Sequence, residues 1–170
     1  GHWSSNADLL PAGPCDDGRE YVQMLGNIKN KCCYRWFRKD YIAQVENLEK
    51  YKVIVPKANG SGAIGEVLST PLIGYTETYI SIGATDNEKE AEATLKYIKT
   101  KFSRTMLGIL KVTQNNPRET WKYVPMQDFS SQSDIDWSKS VSDIDQQLYT
   151  KYGFTDEEIE FVESMIKPME

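Results

Sequence analysis

The hydrophobic period of this chain changes near residue 86, and that change limits its fold more than any other feature. Before it, apolar residues come in short continuous or alternating runs, as in Tyr51-Lys52-Val53-Ile54-Val55 and in Thr78, Ile80 and Ile82; such runs are the pattern of strands. After it, Ala91, Leu95, Ile98 and Phe102 recur at helical spacing and share one stripe. Strands gathered in one half and helices in the other predict an α+β fold, with a twisted, mainly antiparallel sheet first and then a helical pair and a C-terminal helical hairpin.

Local signals place the elements. Residues 21–25 and 31–37 flank the turn-like Gly26-Asn27-Ile28-Lys29-Asn30 and read as a β-hairpin. A short helix is expected within 40–50, where Ile42, Val45 and Leu48 have helical spacing, and a strand over 51–55 that Pro56 ends. A loop over 57–62 leads to a strand pair at 63–68 and 76–82. Asp86 is the expected N-cap of a helix over 86–102, followed by a second over 103–112 that Asn115-Asn116-Pro117 stops. Residues 121–129 read as extended and 134–138 as loop. Helices over 141–152 and 156–166 are joined around Gly153, the second opened by the capping-box pattern Thr155-x-x-Glu158.

With 170 residues, 39% of them hydrophobic and 26% charged, the chain suits one compact domain with a real core. The division expected is an irregular segment over 1–18, with Ser5-Asn6-Ala7 compatible with a tag remnant, an α+β domain over 19–129, and an acidic helical hairpin over 130–170 packed on it. No apolar run reaches the roughly 18 residues a membrane span needs, and the start lacks the basic and apolar regions of a signal peptide, so a cytoplasmic, non-membrane protein is expected. Cys15, Cys32 and Cys33 are odd in number, and the adjacent pair faces opposite ways on a strand, so reduced thiols are expected. The single histidine, His2, stands at the N-terminus, which argues against a zinc site and against a histidine-based triad.

The net charge of −5 hides strong segregation along the chain. Residues 29–57 hold eight Lys or Arg against three acids, a balance of +5, and residues 96–122 hold seven against one, a balance of +6. Residues 128–170 hold eleven acids against three lysines, a balance of −8. Local clusters of Lys and Arg attract phosphate whatever the total, so two basic blocks meeting on one face would suit DNA.

No string supports catalysis. Gly60-Ser61-Gly62-Ala63-Ile64-Gly65 fits G-x-G-x-x-G, but Pro71 and Gly74 follow where a dinucleotide fold needs a helix, and the companion kinase motifs are missing. Asn116-Pro117-Arg118 is not the methylase Asp/Asn/Ser-Pro-Pro-aromatic signature, and Glu66 or Glu119 lacks the acidic partner a metal-dependent nuclease requires. Asp156, Glu157 and Glu158 open a helix and meet its dipole, which accounts for them structurally. The loop around Lys57, Asn59 and Ser61 instead suits donors presented to phosphates or base edges. In Tyr34-Arg35-Trp36-Phe37-Arg38 the arginines alternate with aromatics, and Lys101 and Arg104 are neighbours at i, i+3.

Several strings in order carry a resemblance: Arg38-Lys39-Asp40-Tyr41-Ile42, Tyr51-Lys52-Val53-Ile54-Val55-Pro56-Lys57, Thr76-Glu77-Thr78-Tyr79, Leu95-Lys96-Tyr97-Ile98-Lys99-Thr100-Lys101-Phe102, Trp121-Lys122-Tyr123-Val124-Pro125, and residues 145–159. Over residues 23–166 the chain resembles the target-recognition (specificity) domain that follows the catalytic domain in bacterial adenine-specific DNA methylases of type IIG restriction-modification enzymes. Residues 1–18 match no part of that pattern. The resemblance implies that the chain is a piece of a longer enzyme and binds double-stranded DNA without catalytic residues of its own. The methylase catalytic domain of the parent chain would bind S-adenosylmethionine and methylate adenine N6.

On that reading Lys31, Arg35, Arg38, Lys57, Lys101, Arg104 and Lys111 hold phosphates, while Asn59, Ser61, Gln114 or an arginine such as Arg35 reads base edges. No cofactor or metal is expected within the fragment, and the acidic hairpin should lie away from DNA. The alternative is a protein-protein interaction module whose acidic hairpin docks a basic partner.

Overall fold

A computed structural model describes residues 10–28, 31–42, 46–58, 65, 68–109 and 118–169, with the backbone alone at 68 and 69. Among these residues it has six strands in two three-stranded sheets and five α-helices, with the strands first. The α+β reading of the sequence holds.

The first sheet is built on the expected hairpin. Strands β1 (Tyr21–Ile28) and β2 (Lys31–Arg38) pair antiparallel, with Leu25 opposite Tyr34. The second sheet is centred on β3 (Tyr51–Pro56), which lies between β4 (Leu68–Ser69) and β6 (Tyr79–Thr85), antiparallel to both. Strand β5 (Ile73–Tyr75) joins the first sheet instead, parallel to β1.

The run Val53-Ile54-Val55 is fully buried because both faces of β3 are covered. Val53 and Val55 pack with Ile80 and Ile98 on the helix side, whereas Ile54 packs with Leu25 and Tyr79 between the two sheets. The register agrees, with Ile80 and Ile82 opposite Val55 and Val53. Between Tyr51 and Val53 that register slips at a bulge in β6, where Gly83 takes φ +70°, a conformation L side chains rarely adopt.

Helix α1 (Glu88–Lys99) lies against the second sheet, and α2 (Lys101–Ile109) follows after one residue. Thr100 breaks the pair. Its hydroxyl donates to the Tyr97 carbonyl at 2.5 Å and accepts the Ser103 N–H at 3.1 Å, closing one helix while opening the next. A single turn, α3 (Arg118–Trp121), precedes an irregular stretch; α4 (Val141–Lys151) and α5 (Asp156–Met165) form the C-terminal hairpin. Gly153 takes φ +66° between them, and Thr155 and Glu158 form the anticipated reciprocal cap. Tyr97 and Phe102 share one core cluster with Ile135, Ile144, Leu148, Tyr149 and Val162, so the hairpin is built into the interior of the helical half.

Several local expectations need correction. The helix expected within 40–50 is not formed at its described residues, which hold a 3-10 turn at Lys39–Tyr41 and a turn over 46–49. Contacts outside the segment take its polar groups: the Leu48 carbonyl accepts from Leu72 N–H at 2.9 Å, and Asn47 donates to Ser81 Oγ at 2.9 Å. The strand expected over 76–82 starts only at Tyr79, because Thr76 and Tyr79 close a turn through a 3.0 Å backbone bond. Asn87 rather than Asp86 caps α1, accepting from Lys89 N–H at 3.1 Å, while Asp86 pairs with Lys50. The extended segment expected from Trp121 begins after the α3 turn. Residues 59–64 lie outside the described residues, as do residues 110–117.

Candidate nucleic-acid interface

Lys57 follows the last residue of β3, and its N–H donates to the Thr78 carbonyl at 2.9 Å, tying the strand's exit to the β5–β6 turn. Its side chain lines a groove of about 480 Å³ with Tyr75, Glu77 and Tyr79, and with Arg118 and Glu119 of α3. Lys57 belongs to the first basic block and Arg118 to the second, so the two blocks meet here. Nothing in the sequence ties Arg118 to Lys57, which stands 61 residues earlier.

The hairpin arginines differ in what they have left to offer. Arg38 is engaged within its own turn: Nε donates to Asp40 at 3.0 Å, Nη1 donates to the Tyr41 hydroxyl at 2.7 Å, and the guanidinium lies 4.1 Å from the Tyr41 ring centroid. Its charge-assisted bonds hold the Asp40 carboxyl below the usual carboxylate range. Arg35 stands on the opposite face of β2 from Trp36 and donates through Nη1 to the Tyr34 carbonyl at 3.0 Å. Lys31 is exposed at the start of β2.

Lys101 and Arg104 do not form the exposed phosphate grip that their spacing suggests. Arg104 is 4% exposed; Nη1 donates to the Lys167 carbonyl at 2.6 Å, and burial pushes its guanidinium below its ordinary range. The Lys101 side chain is 12% exposed and forms an ion pair with Glu163 of α5. Lys96, also of the second block, donates to the carbonyls of Trp137, Ser138 and Lys139 at 2.9, 3.3 and 2.9 Å. Lys96 and Arg104 of that block thus bind backbone carbonyls of the C-terminal segment, and Lys101 binds one of its carboxylates. Asn59, Ser61, Lys111 and Gln114 lie outside the described residues.

At the centre of this junction stands Asp145, a residue the sequence reading passed over. It belongs to α4, is 2% exposed, and accepts the N–H groups of Lys101 at 3.0 Å and Phe102 at 2.8 Å, so it caps α2 from another helix. Burial pushes its carboxyl up to about 6, against the pull of those two donors, and the nearby Glu163 charge adds to the rise. The same Glu163 accepts from the Tyr149 hydroxyl at 3.0 Å.

Cys15, Cys32 and Cys33 carry no disulfide. Among the described residues, no group of three or more His, Cys, Asp or Glu side chains is placed to hold a metal ion, and no helix is long and apolar enough to cross a membrane. Comparison with known proteins finds no matching family model, no matching curated protein and no matching solved structure.

Proposed function

We propose that this chain binds double-stranded DNA as the target-recognition part of a bacterial adenine-N6 methyltransferase of the type IIG restriction-modification kind. The observation that carries the reading is the groove in which Lys57 and Arg118 bring the two basic blocks together. Two cations lining one groove suit phosphate oxygens. Glu77 and Glu119 in the same groove would repel phosphate and favour base-edge donors such as a cytosine amino group. The ordered strings that resemble the specificity domains of such enzymes support the same reading.

Lys31 and Arg35 extend the phosphate-binding surface along the hairpin, while Lys101 and Arg104 act inside the protein. S-adenosylmethionine and the methyl transfer belong to a catalytic domain of the parent chain. Lys57→Ala/Arg118→Ala tests the assignment by fluorescence anisotropy with a mixed-sequence duplex. Affinity should fall at least about tenfold for two lost cationic contacts, with the far-UV spectrum unchanged. Unchanged affinity in the double variant would remove the groove from the interface.

A further inference from the structure

We propose that the solvent face of α5 docks a positively charged, amphipathic segment of a partner polypeptide, with Phe161 and Met165 as its apolar anchors. Most of this helix is accounted for by its own fold. Val162 is buried and Ile159 packs on the same core cluster; Glu163 pairs with Lys101, and Glu158 completes the N-terminal cap. What remains faces outward. Phe161 is 60% exposed and Met165 64% exposed, and their i, i+4 spacing makes them neighbours on one surface.

Charge identifies the occupant. The sequence of α5 is DEEIEFVESM, with no cation in it. Glu157, one turn before Phe161 on the same stripe, and Glu160, further round the helix, are exposed, and neither is in an ion pair among the described residues. An aromatic ring and a thioether framed by carboxylates match the apolar centre and charged rim of a protein interface. Lysines or arginines flanking an apolar stripe on the partner would meet those carboxylates and speed encounter. A nucleic acid, an anionic membrane surface or a second copy of the same acidic helix would each meet like charge. The surface is separate from the Lys57–Arg118 groove, and the inference holds whether or not that groove binds DNA.

The probe is a labelled amphipathic peptide of Leu and Lys only, about four helical turns long, titrated against the full chain. Phe161→Gln/Met165→Gln keeps the charge and touches no buried side chain, so its circular dichroism should match the unaltered chain. The expected result is binding that weakens roughly tenfold or more in that variant and that Glu157→Gln/Glu160→Gln weakens while reducing its salt dependence. Equal affinity of Phe161→Gln/Met165→Gln and the unaltered chain would mean that charge alone holds the peptide, and would overturn the proposal, as would no binding at low salt. Sedimentation that reveals a dimer lost in Phe161→Gln/Met165→Gln would assign the face to a second copy and overturn it as well.

Discussion

Replacing Asp145 by Ala probes the junction on which the helical half depends, and its cost should vary with pH in a defined direction. The carboxylate accepts two N–H groups from the first turn of α2, and hydrogen bonds to a charged group contribute about 1.5–3 kcal/mol each. Against that stands the cost of burying the charge. Raising the carboxyl from its reference of 3.8 to about 6 corresponds to about 3 kcal/mol. That rise is already net of the two donors' pull, and near pH 7.5 the substitution, which leaves two buried N–H groups without an acceptor while removing the buried charge, should destabilise by about 2 kcal/mol.

Because the folded-state value lies above the unfolded one, the folded chain holds a proton that the unfolded chain has lost between those values. The stabilising contribution is complete below about 3.8 and disappears as pH rises through about 6. The cost of Asp145→Ala should therefore be about 1.4 kcal/mol larger near pH 5 than near pH 7.5. Urea unfolding of both proteins at the two pH values measures it through the midpoints. A cost that is equal at both, or larger at pH 7.5, would refute the reasoning.

Other substitutions test neighbouring steps. Thr155→Ala removes one half of the capping box and should cost about 1 kcal/mol in urea unfolding, with α5 losing amide protection first in hydrogen exchange. Lys101→Met keeps the buried stem and removes the partner of Glu163. It should lower the unfolding midpoint and leave duplex affinity within about twofold, since one internal ion pair is lost and no phosphate contact. A large loss of DNA affinity with unchanged stability would return Lys101 to the interface.

The fold was legible where short-range chemistry decides it. Val53-Ile54-Val55 is a strand buried on both faces, and a continuous apolar run ended by proline says as much. Thr155 and Glu158 cap each other across a single turn, and so announce where α5 begins. Long-range pairing was not legible. Asp145 caps a helix whose first turn lies 43 residues earlier in the chain, and nothing in its own neighbourhood separates that role from an ordinary helical acid. Asp86 and Asn87 are both good caps, and the pairing of Asp86 with Lys50 helps explain which of them serves. Lys101 and Arg104 show the same limit at the candidate site. Spacing makes them neighbours on a helix, but the Glu163 carboxylate and the Lys167 carbonyl, each more than 60 residues later, decide that they face inward. The meeting of Lys57 with Arg118 is likewise a product of the tertiary fold.

The most direct test of DNA binding is the slope of log K against log salt for a mixed-sequence duplex, measured for the chain and for Lys57→Ala/Arg118→Ala. The account predicts steep weakening with salt for the unaltered chain and a slope shallower by about 1.8 in the double variant, about 0.9 for each phosphate contact removed. Binding indifferent to salt, or two superimposable slopes, would contradict it.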